Sequence, residues 1–257
     1  TPVEHAPALG ANVWIKRDDL TADPMGGNKV RALEFLLADA DRRGRRRLIT
    51  AGGSGSNWLV ATAFYARRIG ATVEALVFPQ PDGERVREAQ RALSALAVRQ
   101  HRAPAPLLPL LAVGPLLRGF RPLPPGGASA LGALGHVAAG IELCEQVGAG
   151  LLPDPREIFV ALGSSGTAAG LALGLGLGGS HARIVAVRVA DRVVANAWRI
   201  SMLARRAARL LRVEGPLARV DVAHRQFGGR YGQPTEAAQQ AVRRAAEAGL
   251  RLEPTYT

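Results

Sequence analysis

Cysteine and lysine are scarce in this sequence of 257 residues: Cys144 is the only cysteine, and Lys16 and Lys29 are the only lysines. A single cysteine excludes an internal disulfide framework and is typical of a protein from a reducing compartment. No apolar run is long and uninterrupted enough for a membrane-spanning helix, and the first five residues lack the features of a signal peptide. These absences predict a soluble cytoplasmic protein with no membrane partner.

Positive charge is abundant, with 33 lysines and arginines against 21 acidic residues and a net charge of +12. Such a charge can indicate nucleic-acid binding. The densest basic cluster, residues 42–47, has no interleaved aromatic residues, so we interpret the arginines as solvated helix surface and expect no nucleic-acid partner. The histidines lack metal-ligand spacing, which predicts no metal site and places on the surface or in loops His5, His101, His136, His181 and His224.

The sequence alternates short β-branched runs with amphipathic helical patterns, which is typical of an α/β fold with a mainly parallel sheet. A hydrophobic content of 47% is ample for a buried core. Seven prolines between residues 102 and 127 predict an irregular crossover without a long helix. The patterns predict strands at residues 12–16, 47–51, 72–78, 158–162 and 183–189, and helices at residues 29–43, 57–69, 82–97 and 193–211.

Three segments combine glycine with small polar residues at strand ends or helix starts. Lys29 follows Gly-Gly-Asn at a helix start, where a partly desolvated amine has a lowered pKa and can form a Schiff base. Residues 52–57 (GGSGSN) join a strand to a helix, and their amides and hydroxyls suit an oxygen-rich ligand. Residues 163–167 (GSSGT) have the composition of a phosphate cradle but lack the spacing of a nucleotide-binding loop.

Each segment also has a simpler interpretation. Lys29 could be a surface lysine, Ser56 or Asn57 could only cap a helix, and residues 163–167 could be a well-capped turn. Taken together, however, an amine, an oxygen-binding turn and a phosphate cradle at strand ends are the groups that pyridoxal phosphate requires. The combination therefore predicts a pyridoxal-phosphate site.

The sequence resembles the family of 1-aminocyclopropane-1-carboxylate deaminases and D-cysteine desulfhydrases, which are fold-type-II pyridoxal-phosphate enzymes. The resemblance implies a two-lobed tryptophan-synthase-β-like fold, with parallel-rich sheets flanked by helices and the cofactor between the lobes. The large lobe would comprise residues 1–30 and 128–257, and the small lobe residues 31–127. The matching segments occur in the family's order: WIKRDDL (14–20), GGNKVR (26–31), the turn at 51–57, Gly126-Gly127 ahead of Gly132 and Gly135, GSSGT (163–167), Tyr231-Gly232 with Pro234-Thr235, and LEPTYT (252–257).

The resemblance also implies roles for individual residues. Lys29 would carry the cofactor and act as the base at the substrate α-carbon, while Ser56 would contact the substrate carboxylate or assist proton transfer. Tyr231 and Tyr256 would line the substrate face, and each has loop packing as its alternative. The other cofactor contacts would come from Asn57 at the phenolic oxygen and from the backbone of the phosphate-binding residues Gly163, Ser164, Ser165, Gly166 and Thr167.

Three departures from the family's pattern bear on the substrate. Trp58 stands where the family usually has histidine, so we expect cofactor stacking or pocket shape to differ. Ala32 replaces a second lysine that is typical of the deaminases, and Thr257 replaces their glutamate near the pyridine nitrogen. A hydroxyl cannot hold that nitrogen protonated as a carboxylate does, so the ring is a weaker electron sink. This arrangement favours β-elimination over cyclopropane opening.

We therefore expect a pyridoxal-phosphate dependent lyase that converts a small amino acid, with D-cysteine the first candidate, to a 2-oxo acid and ammonia. The alternatives are a 1-aminocyclopropane-1-carboxylate deaminase and a non-catalytic homologue that binds pyridoxal phosphate or an amino acid. A nicotinamide-dependent oxidoreductase would need a glycine spacing that the sequence lacks. The resemblance implies a homodimer, and the missing methionine and final strand predict that the chain is a fragment.

Overall fold

The computed structural model describes residues 1–247, 249–250 and 252–253. The chain begins with an antiparallel strand pair, β1 (Val3–His5) and β2 (Trp14–Lys16), followed by helix α1 (Asn28–Arg42). The apolar residues of α1 recur at helical spacing, and this face is buried, as the sequence pattern predicted. They are Leu33, Leu36, Leu37 and Ala40.

A four-stranded parallel sheet follows, with the strand order β5-β4-β3-β6. The β-branched run at residues 72–78 forms a strand with the predicted bounds. The elements of this part of the chain are β3 (Arg47–Gly53), α2 (Asn57–Arg68), β4 (Thr72–Phe78), α3 (Glu84–Ala95), β5 (Arg99–Arg102), α4 (Leu108–Leu117) and β6 (Arg121–Pro122).

The proline-rich segment is more ordered than the sequence predicted. It contains no long helix, as predicted, but it forms the ten-residue α4 and the outer strand β6, while β5 on the other edge of the sheet ends at Arg102, where the segment begins. Pro109 lies in the first turn of α4, where a helix does not need the missing N–H, and Pro115 lies close to its end. The prolines therefore limit the length of this helix without preventing it.

A second parallel sheet has the order β7-β8-β9 and carries the later helices. The sequence patterns located β7, β8, α7 and the helix after the glycine turn that follows β7, which is α6. The family resemblance implied a helix start at Gly132 and Gly135, which lie in α5, while β9 and α8 were not predicted. The elements are α5 (Ala130–Gly148), β7 (Glu157–Leu162), α6 (Gly166–Leu177), β8 (Arg183–Arg188), α7 (Ala197–Leu211), β9 (Val220–Ala223) and α8 (Glu236–Glu247).

Helix α5 fixes the relative position of α1 and α6 because small residues let the three helices approach closely. A Cβ at Gly135 would collide with the carbonyl of Arg31 on α1, and a Cβ at Gly170 on α6 would collide with the carbonyl of Ala133. This packing brings the starts of α1 and α6 together. None of the helices in the described ranges combines the length and the hydrophobicity needed to cross a bilayer.

Candidate active site

Three segments that carry predicted site residues converge on two glycines that precede α5. A Cβ built on Gly127 would lie 2.8 Å from Cβ of Ala32 on α1 and 3.2 Å from Cζ3 of Trp58 on α2. A Cβ on Gly126 would collide with Oγ of Ser164, in the loop after β7. The beginnings of α1, α2 and α6 therefore lie so close to these glycines that neither position has room for a side chain.

The loop at residues 163–167 presents unused backbone amides. Within the described part of the chain, none of these amides donates a hydrogen bond to another backbone group. Gly166 is the first residue of α6, so the loop also lies at the positive end of a helix dipole. Free donors at a helix N-terminus are suited to binding a phosphate group.

Two hydroxyl groups of this loop already have partners. Ser165 is buried in a left-handed backbone conformation (φ 73°), and its Oγ donates to the carbonyl of Val194 at 2.7 Å. Thr167 Oγ1 accepts a bond of 3.5 Å from Asn28 Nδ2 and lies 3.3 Å from His136 Nε2. Any contribution of Ser165 and Thr167 to phosphate binding would therefore come from their backbone amides.

His136 is a buried imidazole beside this loop. It is only 3% exposed, and its pKa is lowered to about 3, mainly by burial and also by the positive charge of Lys29. A neutral Nε2 without a proton can accept the hydroxyl proton of Thr167. The prediction that the histidines lie on the surface or in loops is wrong for His136. Its side chain lies on the buried face of α5, together with Ala133 and Val137.

Lys29 lies in the first turn of α1, next to Asn28, which contacts the loop at residues 163–167. The residue is half-buried, and desolvation lowers the pKa of its ammonium group from 10.5 to about 8. A lower pKa increases the fraction of neutral amine near pH 7, and the neutral amine is the form that attacks a carbonyl. The environment of Lys29 is thus chemically suited to a reactive lysine.

The turn at residues 52–57 differs from the loop because its own chain satisfies its amides. Three successive N–H groups donate to acceptors nearby, one of them a side chain after β4. The acceptors are Phe78 O for Ser54 (3.0 Å), Gln80 Oε1 for Gly55 (2.7 Å) and Gly53 O for Ser56 (3.0 Å). This turn therefore offers a ligand its side chains rather than these three amides.

Two side chains of this turn are available for a ligand. Ser56 is the N-cap residue of α2, yet its hydroxyl does not cap the helix. Asn57 is the first residue of α2, and its Oδ1 atom is buried without a hydrogen-bond partner among the described residues. The helix-capping alternative is thus wrong for Ser56, and a buried amide oxygen without a partner indicates a site for a further polar group.

Tyr231 contacts both parts of the fold, because it also packs against the core beside β7 and β8 that includes Leu162 and Ala186. Its ring makes an edge contact with Phe78, with centroids 5.6 Å apart, at the carboxyl end of β4. The adjacent Gly232 lies against Gln80, which also holds the turn at residues 52–57. The structure thereby places Tyr231 near Ser56. The predicted site residues Tyr256 and Thr257 lie outside the described residues, and their roles stay predictions.

Trp58 and Ala32 are core residues. Trp58 is 2% exposed, and its Nε1 donates to Thr50 Oγ1 at 2.8 Å. Ala32 is 1% exposed and packs in the same core. Both residues lie against Gly127, so they support the site from beneath this glycine.

Sequence reasoning did not identify three residues that contact the site segments: His136, Gln80 and Arg199. The Nε atom of Arg199 donates to the carbonyl of Ser164 at 3.5 Å, so a positive charge lies beside the loop at residues 163–167. Only His136 had a local signal, its helical spacing with buried neighbours, because the other two contacts depend on the tertiary fold. The described residues include no group of three or more histidine, cysteine or acidic side chains that could hold a metal ion.

Comparison with known families places this site in context. The sequence model of the family described as "Pyridoxal-phosphate dependent enzyme" matches residues 1–257. The D-cysteine desulfhydrase of Klebsiella pneumoniae (strain 342) is 36% identical over 274 aligned positions, which cover 100% of this chain and 82% of that protein. The D-cysteine desulfhydrase of Salmonella choleraesuis (strain SC-B67) is 37% identical, with the same coverage of 100% and 82%.

Solved structures show the same relationship. A crystal structure described as an ACC deaminase homologue superposes with a TM-score of 0.84 at 30% sequence identity, covering 100% of this chain and 81% of the other. Threonine deaminase isoform 2 from Solanum lycopersicum has a TM-score of 0.65 at 16% identity, covering 99% of this chain and 74% of the other. The second likeness concerns the fold alone, and it confirms the predicted fold class.

Proposed function

The chain belongs to the family of pyridoxal-phosphate dependent enzymes, and we propose that it is a lyase converting D-cysteine and water to pyruvate, ammonia and hydrogen sulfide. The observation that carries the proposal is Lys29, an amine of lowered pKa placed beside a loop of free amides. The D-cysteine desulfhydrases of Klebsiella pneumoniae and Salmonella choleraesuis, which are 36% and 37% identical, support the choice of substrate.

The residues at the site fit pyridoxal phosphate. The amides of residues 163–167 would hold its phosphate, with the guanidinium group of Arg199 nearby to balance the negative charge. Asn57, the first residue of α2, would donate from its side-chain Nδ2 to the phenolic oxygen. Lys29 would hold the aldehyde carbon. The phosphate, the phenolic oxygen and the aldehyde carbon of the cofactor thus each have a chemically matched group on the protein.

When bound, the cofactor supplies an electron sink for the carbanion that forms at the substrate α-carbon. Lys29 would remove the α-proton, since its lowered pKa makes it an effective base near neutral pH. Ser56, buried at the start of α2, would orient the substrate carboxylate, and Tyr231 would close the substrate side. Loss of the thiol from the β-carbon and hydrolysis of the released 2-aminoacrylate then give the three products.

The alternative substrate is 1-aminocyclopropane-1-carboxylate, which the structural likeness to the ACC deaminase homologue supports. Two residues of this chain favour D-cysteine instead. Ala32 is buried against Trp58 and Gly127, so it offers no charge where the deaminases have a second lysine. Thr257 would leave the pyridine nitrogen without a carboxylate partner.

The wider organisation of the protein is inferred from the family. We infer two lobes, a large one of residues 1–30 and 128–257 and a small one of residues 31–127, with the cofactor between them. The four-stranded sheet lies within the small lobe and the β7-β8-β9 sheet within the large lobe, which supports this division. We also infer a homodimer that acts on a small amino acid in the cytoplasm, without a nucleic-acid partner.

Steady-state assays of the cofactor-loaded protein test the proposed function. Hydrogen sulfide and pyruvate should form in equal amounts from D-cysteine, and ammonia should be released at the same rate. L-Cysteine and 1-aminocyclopropane-1-carboxylate serve as comparison substrates, and the latter would give 2-oxobutanoate. If only 1-aminocyclopropane-1-carboxylate is turned over, the protein is a deaminase of that substrate and the proposal of D-cysteine is wrong. If a cofactor-loaded protein turns over none of these substrates, the non-catalytic homologue is favoured.

A further inference from the structure

Gln80 occupies an unusual position just after the carboxyl end of β4. Its side-chain Oε1 accepts the N–H of Gly55 at 2.7 Å, and its own backbone N–H donates to Ser54 Oγ at 3.2 Å. Both contacts are with the turn at residues 52–57, which carries Ser56 and Asn57. Gln80 therefore holds this turn from outside it, together with Gln90, whose Nε2 donates to the carbonyl of Ser54 at 2.6 Å.

The same side chain also borders the segment that carries Tyr231. A Cβ built on Gly232 would collide with Nε2 of Gln80, and a Cβ on Gly53 would collide with Oε1. Gly232 also has a positive φ of 76°, which favours glycine. One amide group is thus packed between two chain segments that are about 180 residues apart in sequence.

The two segments carry the residues that would bind the substrate. Ser56 follows the amide that Gln80 accepts, and Tyr231 precedes the glycine against which Gln80 packs. The ring of Tyr231 lies on Phe78, two residues before Gln80, so the contact is continuous along the end of β4. The turn also carries Asn57, which would contact the cofactor, whereas the other cofactor-binding groups, Lys29 and the loop at residues 163–167, lie on α1 and between β7 and α6.

We propose that Gln80 is a positioning residue for the substrate: it holds the Ser56 turn and the Tyr231 segment in register, and so sets the substrate side of the site. The inference rests on the proposed function for its kinetic consequence, but not for its structural one. If Gln80 acts in this way, its loss weakens substrate binding more than cofactor binding, because Lys29 and the loop at residues 163–167 lie on other elements. A residue needed only for stability would weaken both equally.

Kinetics of Gln80→Met test the proposal, because methionine has a similar volume but cannot accept the Gly55 N–H. We expect the KM for D-cysteine to rise about fivefold to tenfold, the size of one lost hydrogen bond, while kcat changes by less than about twofold. The cofactor dissociation constant should rise by less than the KM, and any shift of the cofactor absorption band should be smaller than in Asn57→Ala. The matched control is Gln240→Met on the exposed face of α8, which should behave as the unmodified protein.

Hydrogen–deuterium exchange provides a readout that does not require turnover. In Gln80→Met, amide exchange should accelerate in both segments, residues 53–57 and 228–235, relative to Gln240→Met. Gly53→Ala should have the same effect, because its Cβ displaces the end of the Gln80 side chain. Faster exchange in only one segment, or an unchanged KM in a folded, cofactor-loaded variant that turns over D-cysteine, would overturn the proposal. If the unmodified protein does not turn over D-cysteine, the exchange result still decides whether Gln80 joins the two segments.

Discussion

The turn at residues 52–57 and the loop at residues 163–167 have nearly the same composition but offer a ligand different groups. Each joins the end of a parallel strand to the start of a helix, and each consists of glycine with small polar residues. In the turn, three amides are used within the protein, and the side chain of Asn57 has the unpaired atom. In the loop, the hydroxyl groups of Ser165 and Thr167 have partners within the protein, and among the described residues the backbone amides have no backbone acceptor.

The difference shows that a glycine- and serine-rich strand-to-helix connection does not by itself define a phosphate site. What decides is where each backbone N–H finds its acceptor, and acceptors such as Phe78 and Gln80 are distant in sequence. We therefore expect side-chain truncation to reduce function in the turn and to have little effect in the loop. The predictions below test this contrast, together with the amine at the start of α1.

The largest effect is expected for Asn57→Ala. Because the side chain would donate to a charged oxygen of the cofactor, its removal should lower kcat/KM for D-cysteine about 10- to 100-fold. The absorption maximum of the bound cofactor should also shift. The control is Asn12→Ala in an exposed loop. A kcat/KM equal to that of the control would mean that the turn does not act through this side chain.

The pH dependence of cofactor attachment measures the amine beside the loop. Burial disfavours the charged form, so the pKa of Lys29 lies at about 8 instead of 10.5, and the reactive neutral form is lost as the pH falls below 8. The rate of cofactor attachment to the apoprotein should decrease about 50-fold between pH 8 and pH 6 and level off above pH 9. Stopped-flow absorbance measures this rate. A rate that still rises about tenfold between pH 8 and pH 9 would contradict the lowered pKa.

A smaller effect is expected for Thr167→Val. Valine cannot bond Asn28 or His136, so the start of α6 would be held less firmly against α1. The dissociation constant of the cofactor should increase about fivefold, which corresponds to about 1 kcal/mol. Thr167→Ser keeps the hydroxyl group and should restore binding. Equal weakening in both variants would show that the methyl group, rather than the hydrogen bonds, is important.

The smallest effect is expected for Ser164→Ala. This substitution leaves every amide of the loop in place, and its side chain is the one that lies against Gly126. The cofactor dissociation constant should change by less than about twofold, as measured by equilibrium dialysis. A loss comparable to that of Asn57→Ala would remove the contrast between the two connections.

Much of the fold was predictable because its local patterns agree with the tertiary structure. The strand at residues 72–78 was predicted with its bounds, and the helices at Lys29, Asn57 and Gly166 were located by their spacing and preceding glycines. Only the family resemblance implied the start of α5, because its alanines and glycines give little amphipathic contrast. The absence of a long helix from the proline-rich segment was correctly predicted, but the ten-residue α4 was missed, since a proline in the first turn of a helix is permitted.

The site was predictable as a set of segments, but its internal arrangement was not. Composition and the family resemblance identified Lys29, Asn57 and residues 163–167. The contacts of Gln80, Arg199 and His136 arise only when distant elements pack together. The spacing of His136 from Ala133 and Val137 indicates a shared helix face, but an isolated histidine without metal-ligand spacing was interpreted as a surface or loop residue.

The most direct test of the account is the visible absorption spectrum of the protein after addition of pyridoxal phosphate and removal of the excess. The chain has only two lysines, so Lys29→Met and Lys16→Met form a matched pair. We predict an absorption band in the unmodified protein and in Lys16→Met, and none in Lys29→Met when circular dichroism shows it to be folded. A band retained in Lys29→Met, or absent from the folded unmodified protein, would contradict the assignment of Lys29 as the cofactor lysine.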